Sequence, residues 1–256
     1  MRSPLDIAEF LSELDRSIPF GGAEAWDPVG LSIGDPAATV GSSAVCHEVT
    51  EAVIGALDGS EVDTLVSYHP LLFEPTTTLI DGPTPEGRAV RLVRSGVALI
   101  VVHTAFDAVR PGTGDALAGA LDLDVVGSFG AADGAPIGRL TEADRALSAD
   151  ELAEIVGTSL SVPVKVAEGG RRIRRIALVP GSGASLIGDA IGLADALVTG
   201  DVGHHRASAA ADAGLTIVDA GHAATERPGI EALYSVVRGI VDDAVLLHED
   251  PNPWKD

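Results

Sequence analysis

Apolar residues follow two alternating spacings along the chain. Short runs of β-branched and aliphatic residues, such as VDTLVSYH at 62–69 and VALIVVH at 97–103, are typical of buried strands. Between them, stretches such as TEAVIGALDGS at 50–60 and PEGRAVRLVRSG at 85–96 have apolar residues at helical spacing. This alternation predicts an α/β fold with parallel strands joined by right-handed crossovers.

The alternation is interrupted between residues 124 and 170. This segment has glycine-rich turns and short apolar pieces around one predicted helix, SADELAEIVGTSL. We therefore predict two similar βα-repeating halves, residues 1–123 and 171–256, with 124–170 as a linking or inserted subdomain. A helix is also predicted over Ser3–Leu14, with Ser3 as its cap and Pro4 in its first turn.

The charge of the chain excludes several classes of partner. Its formal net charge is −21, so neither nucleic acid nor an anionic membrane surface is an expected partner. Only two of its 17 basic residues are lysines, and the acidic residues are dispersed, a pattern that suggests adaptation to high salt.

The cellular setting follows from two further features. The longest apolar runs, such as 97–102, are too short to span a bilayer, and the acidic N-terminal segment does not resemble a signal peptide. Cys46 is the single cysteine, so an internal disulfide and a cysteine metal cluster are both excluded. We expect a cytoplasmic protein.

Side chains that can bind metals follow four of the predicted strands. They are His69, then His103 and Asp107, then Asp201 and His205, then His222 and Glu226. The carboxyl ends of parallel strands open onto one edge of a sheet, where ligands bind. Imidazole nitrogens and carboxylate oxygens bind divalent metal ions, and carboxylates can bridge two ions. The pattern predicts a site for one or two metals.

Other interpretations of the same residues stay open. A histidine after a strand often caps or packs, Asp107 and Asp201 could cap helices, and Glu226 could lie in the first turn of a helix. PGSGAS, which follows the strand RRIALV, could bind an anion, but a tight turn is the favoured interpretation. It lacks the G-x-S-x-G pattern, so Ser182 is not predicted to be a nucleophile.

Six motifs occur in order along nearly the whole chain. They are WDPVGLSIGDP, SYHPLLF, HTAFDAVRPGTGDALA, PGSGASLI, LVTGDVGHH and DAGHAATE. They resemble WDNVGL, HHPLLF, HTNLDAAxxGxNDxLA, GGSGSSLI, TGDxxHH and GHxxTE of the GTP cyclohydrolase I type 2-like proteins. This Nif3-like family is also called the dinuclear metal centre hexameric proteins.

The resemblance implies an assembly and a metal site. The fold would be two similar α/β halves, and the assembly a homohexameric ring of three dimers. His69, Asp107, His222 and Glu226 would bind two ions of zinc, iron, manganese, nickel or cobalt.

It also implies an activity, that of a metal-dependent hydrolase of a nucleotide- or pterin-like substrate such as GTP. His103 or His205 would then transfer protons. The alternatives are a non-catalytic metal-binding, metal-delivery or regulatory scaffold protein, and a metal with a structural role alone.

The chain departs from the family pattern at Tyr68. The family has two consecutive histidines before the proline, both metal ligands, and the first of them is Tyr68 here. A phenolate can bind a metal, but its reference pKa of about 10 makes it a poorer ligand than imidazole at neutral pH. One metal position is therefore expected to be weaker, differently filled or vacant. Pro28 also stands where the family has asparagine.

Overall fold

The computed structural model describes residues 5–130, 135–248 and 252–253. Its chain forms two compact units: unit 1 lies within Met1–Val109 and Ile230–Pro253, and unit 2 lies within Arg110–Gly229. This division differs from the predicted one, because the last strand of the chain belongs to unit 1 and segment 124–170 belongs to unit 2. Among the described residues, no helix is both long and apolar enough to cross a membrane.

The helices include those predicted from the apolar spacing. They are α1 (Ile7–Ser17), α2 (Glu51–Leu57), α3 (Pro85–Ser95), α4 (His103–Ala108), α5 (Thr113–Ala120), α6 (Ala149–Leu160), α7 (Ile187–Ala190), α8 (His204–Asp212) and α9 (His222–Ile240). The division between the units falls inside α9.

The strands are short. They are β1 (Leu5–Asp6), β2 (Gly30–Ile33), β3 (Thr39–Val40), β4 (Ser43–Cys46), β5 (Thr64–Ser67), β6 (Ala98–Val101), β7 (Asp124–Phe129), β8 (Gly138–Leu147), β9 (Lys165–Ala167), β10 (Ile173–Ser182), β11 (Ala196–Gly200), β12 (Thr216–Asp219) and β13 (Ala244–Leu246).

Helix α1 begins later than the sequence pattern predicts. Its N-cap is Asp6, whose carboxylate accepts a hydrogen bond from the backbone N–H of Glu9, while the Glu9 side chain accepts one from the N–H of Asp6. This reciprocal capping box satisfies two backbone donors at the start of the helix. The predicted cap Ser3 and Pro4 lie outside the described residues.

Unit 1 contains a five-stranded sheet in the order β13-β4-β5-β6-β2. The first four strands are parallel, and β2 pairs with β6 in the antiparallel sense. Alternate residues of each strand pack on opposite faces: Val45, Val66 and Ile100 pack with α1 and α9, and Ala44 and Leu65 pack with α2 and α3. The sheet is therefore covered by helices on both faces, as expected for parallel strands.

Unit 2 contains a six-stranded sheet in the order β7-β8-β10-β11-β12-β9. Its central strands β10, β11 and β12 are parallel, as predicted, whereas β7, β8 and β9 pair in the antiparallel sense. These three strands all come from segment 124–170. The segment is therefore not a separate linking subdomain, because its backbone completes the sheet of unit 2.

A buried ion pair joins α5 to strand β8 of the sheet in unit 2. The Arg139 side chain is fully buried, and its Nε donates a hydrogen bond to Oδ2 of Asp115 over 2.7 Å. Its Nη1 donates to the carbonyl of Pro136 at 3.0 Å. Burial alone would raise the pKa of Asp115, but the hydrogen bond and charge of Arg139 outweigh it and hold the pKa below its usual value.

Candidate metal centre

In unit 1, three neighbouring parallel strands end level with one another. Cys46 of β4 pairs with Ser67 of β5, which pairs with Val101 of β6. The backbone pairing continues past the strands, since the N–H of His69 donates to the carbonyl of His47 at 2.9 Å and that of His103 to the carbonyl of Tyr68, also at 2.9 Å. The chain thus places three histidines and a tyrosine at one edge of the sheet.

The rings at this edge lie against each other. His47 stacks almost parallel on Tyr68, with ring centroids 5.8 Å apart, and its centroid is 4.6 Å from that of His69. Both His47 and Tyr68 are buried. The Tyr68 hydroxyl donates a hydrogen bond of 2.7 Å to Oδ1 of Asp107. The Tyr68 phenol is thus engaged by a carboxylate that the resemblance assigns to the metal.

His103 is held by a buried carboxylate in the same unit. Its Nδ1 lies 2.9 Å from Oδ1 of Asp27, whose Oδ2 accepts hydrogen bonds from the backbone N–H and the hydroxyl of Thr104. Burial would raise the pKa of Asp27, but the bonds from His103 and Thr104 hold it below its usual value. His103 has a positive φ of 23°, a conformation that costs free energy and is common at functional sites.

In unit 2, His222 lies between two carboxylates. Its Nδ1 is 2.7 Å from Oδ2 of Asp201, and its Nε2 is 3.2 Å from Oε1 of Glu226. The four-residue spacing on α9 places His222 and Glu226 on one helical face, as predicted. Burial would lower the pKa of His222, but the hydrogen bonds and charges of Glu226 and Asp201 raise it to about 9.

Gly181 leaves room for the Glu226 carboxylate because it has no side chain. Gly181, at the end of β10, has a φ of +68°, and its backbone N–H donates to the hydroxyl of Thr225 at 2.9 Å. A Cβ at this position would lie 3.1 Å from Cδ of Glu226 and 3.2 Å from Nε2 of His222. The first glycine of the PGSGAS motif therefore lets the backbone approach the carboxylate closely.

The remaining predicted residue, His205, lies in a cleft of unit 2 with a volume of about 500 Å³. The cleft is also lined by Ser182, Ser185, Asp201 and Arg206. His205 is exposed, and its ring contacts that of His204. The motifs PGSGAS and TGDVGHH thus line one cleft, and Asp201 in its wall contacts His222.

The donor chemistry of the described residues suits a divalent ion. Unit 1 offers the adjacent imidazole nitrogens of His47 and His69, and unit 2 offers the carboxylate oxygens of Glu226, and both are donor types that hold such an ion. His69 and Glu226 were predicted as ligands, whereas His47 was missed. Cys46 is unsuited to this role, because burial raises the pKa of its thiol to about 12. The metal-binding and proton-transfer roles stay predictions for all the residues named from the sequence: Tyr68, His69, His103, Asp107, His205, His222 and Glu226.

Comparison with known sequences identifies the relatives of this chain. The profile of the family Duf34/NIF3 (NGG1p interacting factor 3) matches residues 5–253. A Streptomyces coelicolor protein named GTP cyclohydrolase 1 type 2 homolog is 36% identical, covering 88% of this chain and 83% of the relative. A Helicobacter pylori protein named GTP cyclohydrolase 1 type 2 is 30% identical, with coverages of 86% and 87%.

Solved structures show the same fold. A Staphylococcus aureus hypothetical protein matches with a TM-score of 0.88 at 24% identity, covering 99% of this chain and 100% of that one. A Bacillus cereus protein related to NIF3 matches with a TM-score of 0.88 at 20% identity, covering 100% of both chains. These matches confirm the mixed α/β fold.

Proposed function

This chain belongs to the Duf34/NIF3 family, and we propose that it is a divalent-metal-binding protein that acts as a metal-dependent hydrolase. The observation that carries the proposal is the pair of adjacent imidazoles of His47 and His69 at the edge of the sheet in unit 1, whose nitrogen donors suit zinc, iron, manganese, nickel or cobalt. The family resemblance adds the Glu226 carboxylate as a further ligand. The resemblance of Asp107 and His222 to family ligands supports a second ion as an extension of this site.

The residues around these donors support distinct roles. A bound divalent ion would act as a Lewis acid on a carbonyl or phosphoryl oxygen of the substrate. His222 orients the Glu226 carboxylate through a ring nitrogen, as groups behind metal ligands commonly do. Tyr68 orients Asp107 in the same manner.

His103 is the best candidate for proton transfer. Asp27 engages its Nδ1 and fixes the ring orientation, which leaves Nε2 to donate or accept a proton. His205, which lies in the cleft of unit 2, is the alternative. Since the Helicobacter pylori relative bears the name of a GTP cyclohydrolase, GTP is the first substrate to test.

A second candidate function is non-catalytic metal binding, delivery or regulation. The observation that favours it is burial: His47 and Glu226 are 9% and 3% exposed. Structural metal sites are closed, whereas catalytic sites keep an open position. Turnover of GTP by the metal-loaded protein would favour the hydrolase, and easy metal exchange without turnover would favour the second candidate.

Metal content per chain tests the proposal directly. We expect elemental mass spectrometry to find at least one ion per chain in the protein purified without added metal. The variant Glu226→Ala should lose most of this metal while its circular dichroism stays native. Glu154→Ala, which removes an exposed glutamate from α6, is the matched control. Equal metal content in the two variants would refute the assignment of Glu226.

The assembly and location are part of the same proposal. We propose a homohexamer built from three dimers, acting in the cytoplasm, on the strength of the family resemblance. Light scattering should give a mass about six times the 26.0 kDa of one chain. A monomeric mass would refute the hexamer, and recovery of the protein outside the cytoplasmic fraction of cells would refute the location.

A further inference from the structure

Two large aromatic rings of unit 1 are exposed side by side. Trp26 is 58% exposed and Phe73 is 51% exposed, although most of the large apolar side chains of the unit are buried. Their ring centroids are 5.5 Å apart, with the planes inclined by 49°. Exposed aromatic rings that contact each other offer a surface on which another flat ring can stack.

Hydrogen bonds to Thr104 hold the chain on both sides of Trp26. The backbone N–H of Glu24 donates to the Thr104 hydroxyl at 3.0 Å, and the carboxylate of Asp27 accepts from the N–H of Thr104 at 2.9 Å. The exposed ring is therefore held on a fixed backbone. A pre-positioned ring loses little conformational entropy when a ligand binds, which favours affinity.

A polar atom accompanies the two rings. His103 contacts Trp26 and Phe73 edge-on, at centroid distances of 5.9 and 6.4 Å, and its Nδ1 is occupied by Asp27. Its Nε2 is the nitrogen left to bond a heteroatom of a stacked ring. The His103 centroid also lies 5.2 Å from that of His69, so a ring bound here would be next to a proposed metal ligand.

The arginine side chains in the described part of unit 1 pair with carboxylates, with one exception. Its described part contains five arginines and no lysine. Four of them pair with carboxylates: Arg16 with Glu13, Arg88 and Arg91 with Glu51, and Arg94 with Asp81. The fifth, Arg238, lies in the last turn of α9. In a chain of net charge −21, this arrangement does not favour recognition of a phosphate beside the rings.

We propose that Trp26, Phe73 and His103 form a binding site for a flat, uncharged heteroaromatic ring of the purine or pterin class. The ligand stacks on the Trp26 indole and meets the inclined ring of Phe73 at an angle, and Nε2 of His103 bonds one of its heteroatoms. The inference rests on the proposed function in one respect, since it assigns the ring-bearing part of the substrate to the edge that carries His69. Stacking on an aromatic side chain contributes a factor of about 5 to 150 in affinity.

Fluorescence of Trp26 tests this site. The second tryptophan, Trp254, is replaced in the variant Trp254→Phe, so that the emission comes from Trp26, and the zinc-loaded protein is titrated with guanosine. We expect saturable quenching by guanosine and no saturable change with ribose 5-phosphate. No saturable signal with guanosine, or an equal signal with ribose 5-phosphate, would overturn the proposal.

Variants of Phe73, and of a control residue in the same loop, complete the test. Adding Phe73→Leu should weaken guanosine binding at least fivefold, whereas adding Ile80→Ala, an exposed apolar residue of the same loop, should not. Equal affinities of the two variants would overturn the role of Phe73. Metal content is measured on the same samples: metal without guanosine binding defeats this inference alone, and guanosine binding without metal defeats the proposed function alone.

Discussion

Replacement of Gly181 by alanine should weaken metal binding while unit 2 stays folded. An alanine at a φ of +68° costs about 1–2 kcal/mol of stability. Its Cβ would also lie 3.1 Å from Cδ of Glu226 and 3.2 Å from Nε2 of His222, so the carboxylate has to turn away from its position. Displacement of a group that orients a metal ligand typically costs about 10- to 100-fold in metal affinity. We therefore expect Gly181→Ala to bind metal at least about tenfold more weakly than the unaltered protein.

Gly192→Ala separates this effect from backbone strain. Gly192 is also in unit 2 and has a φ of +84°, but no described atom lies within 4 Å of its would-be Cβ. Its variant should lose similar stability in urea denaturation and keep the zinc affinity of the unaltered protein, measured by competition with a chelator. If Gly181→Ala binds zinc as tightly as Gly192→Ala, the position of the Glu226 carboxylate does not control metal binding.

Three further predictions concern stability and stoichiometry. Asp115→Asn removes the negative charge that faces the buried Arg139 and should lower the free energy of unfolding by about 3–5 kcal/mol at pH 7; a loss under about 1 kcal/mol in urea would contradict this. Because the pKa of Asp115 is lowered on folding, the stabilisation by this pair should persist above about pH 4 and disappear as the pH falls through the lowered pKa, whereas Asp115→Asn should lack that acid-dependent part. Tyr68→His should raise the metal content toward two ions per chain, and an unchanged content would place residue 68 away from the metal. If the charge of −21 reflects adaptation to salt, the thermal midpoint should rise with KCl, and full stability in low salt would refute that interpretation.

Local periodicity predicted the elements but not all of their pairing. The parallel strands β4, β5, β6, β10, β11 and β12 each contain consecutive buried apolar residues, which is a strong local signal. In contrast, β13 pairs with β4, which lies about 200 residues earlier in the sequence. The local spacing of apolar residues does not indicate pairing between such distant segments. The antiparallel strands of segment 124–170 were missed for the same reason, since short apolar pieces with glycines do not reveal their partners.

The candidate site could be predicted in part, because its residues follow strand ends. His69 and Glu226 were both found by this signal and by the motif resemblance. The apolar pattern of SSAVCHEV at 42–49 predicts a strand that would include His47, but β4 ends at Cys46, so His47 follows a strand end as His69 does. The signal that would have found His47 was present, and an error of three residues in the predicted end of the strand concealed it.

The contacts of Tyr68 give a physical reason for the weak or vacant metal position that the sequence predicts there. The imidazole of His47 stacks on the Tyr68 ring and lies beside His69, so that two imidazoles are available for one ion at this edge of unit 1. The Tyr68 hydroxyl meanwhile engages Oδ1 of Asp107. Since a carboxylate oxygen that accepts this bond is a poorer bridge to a second ion, we expect the second ion of the proposed site to bind more weakly than the first. The metal content of the unaltered protein and of Tyr68→His tests this expectation.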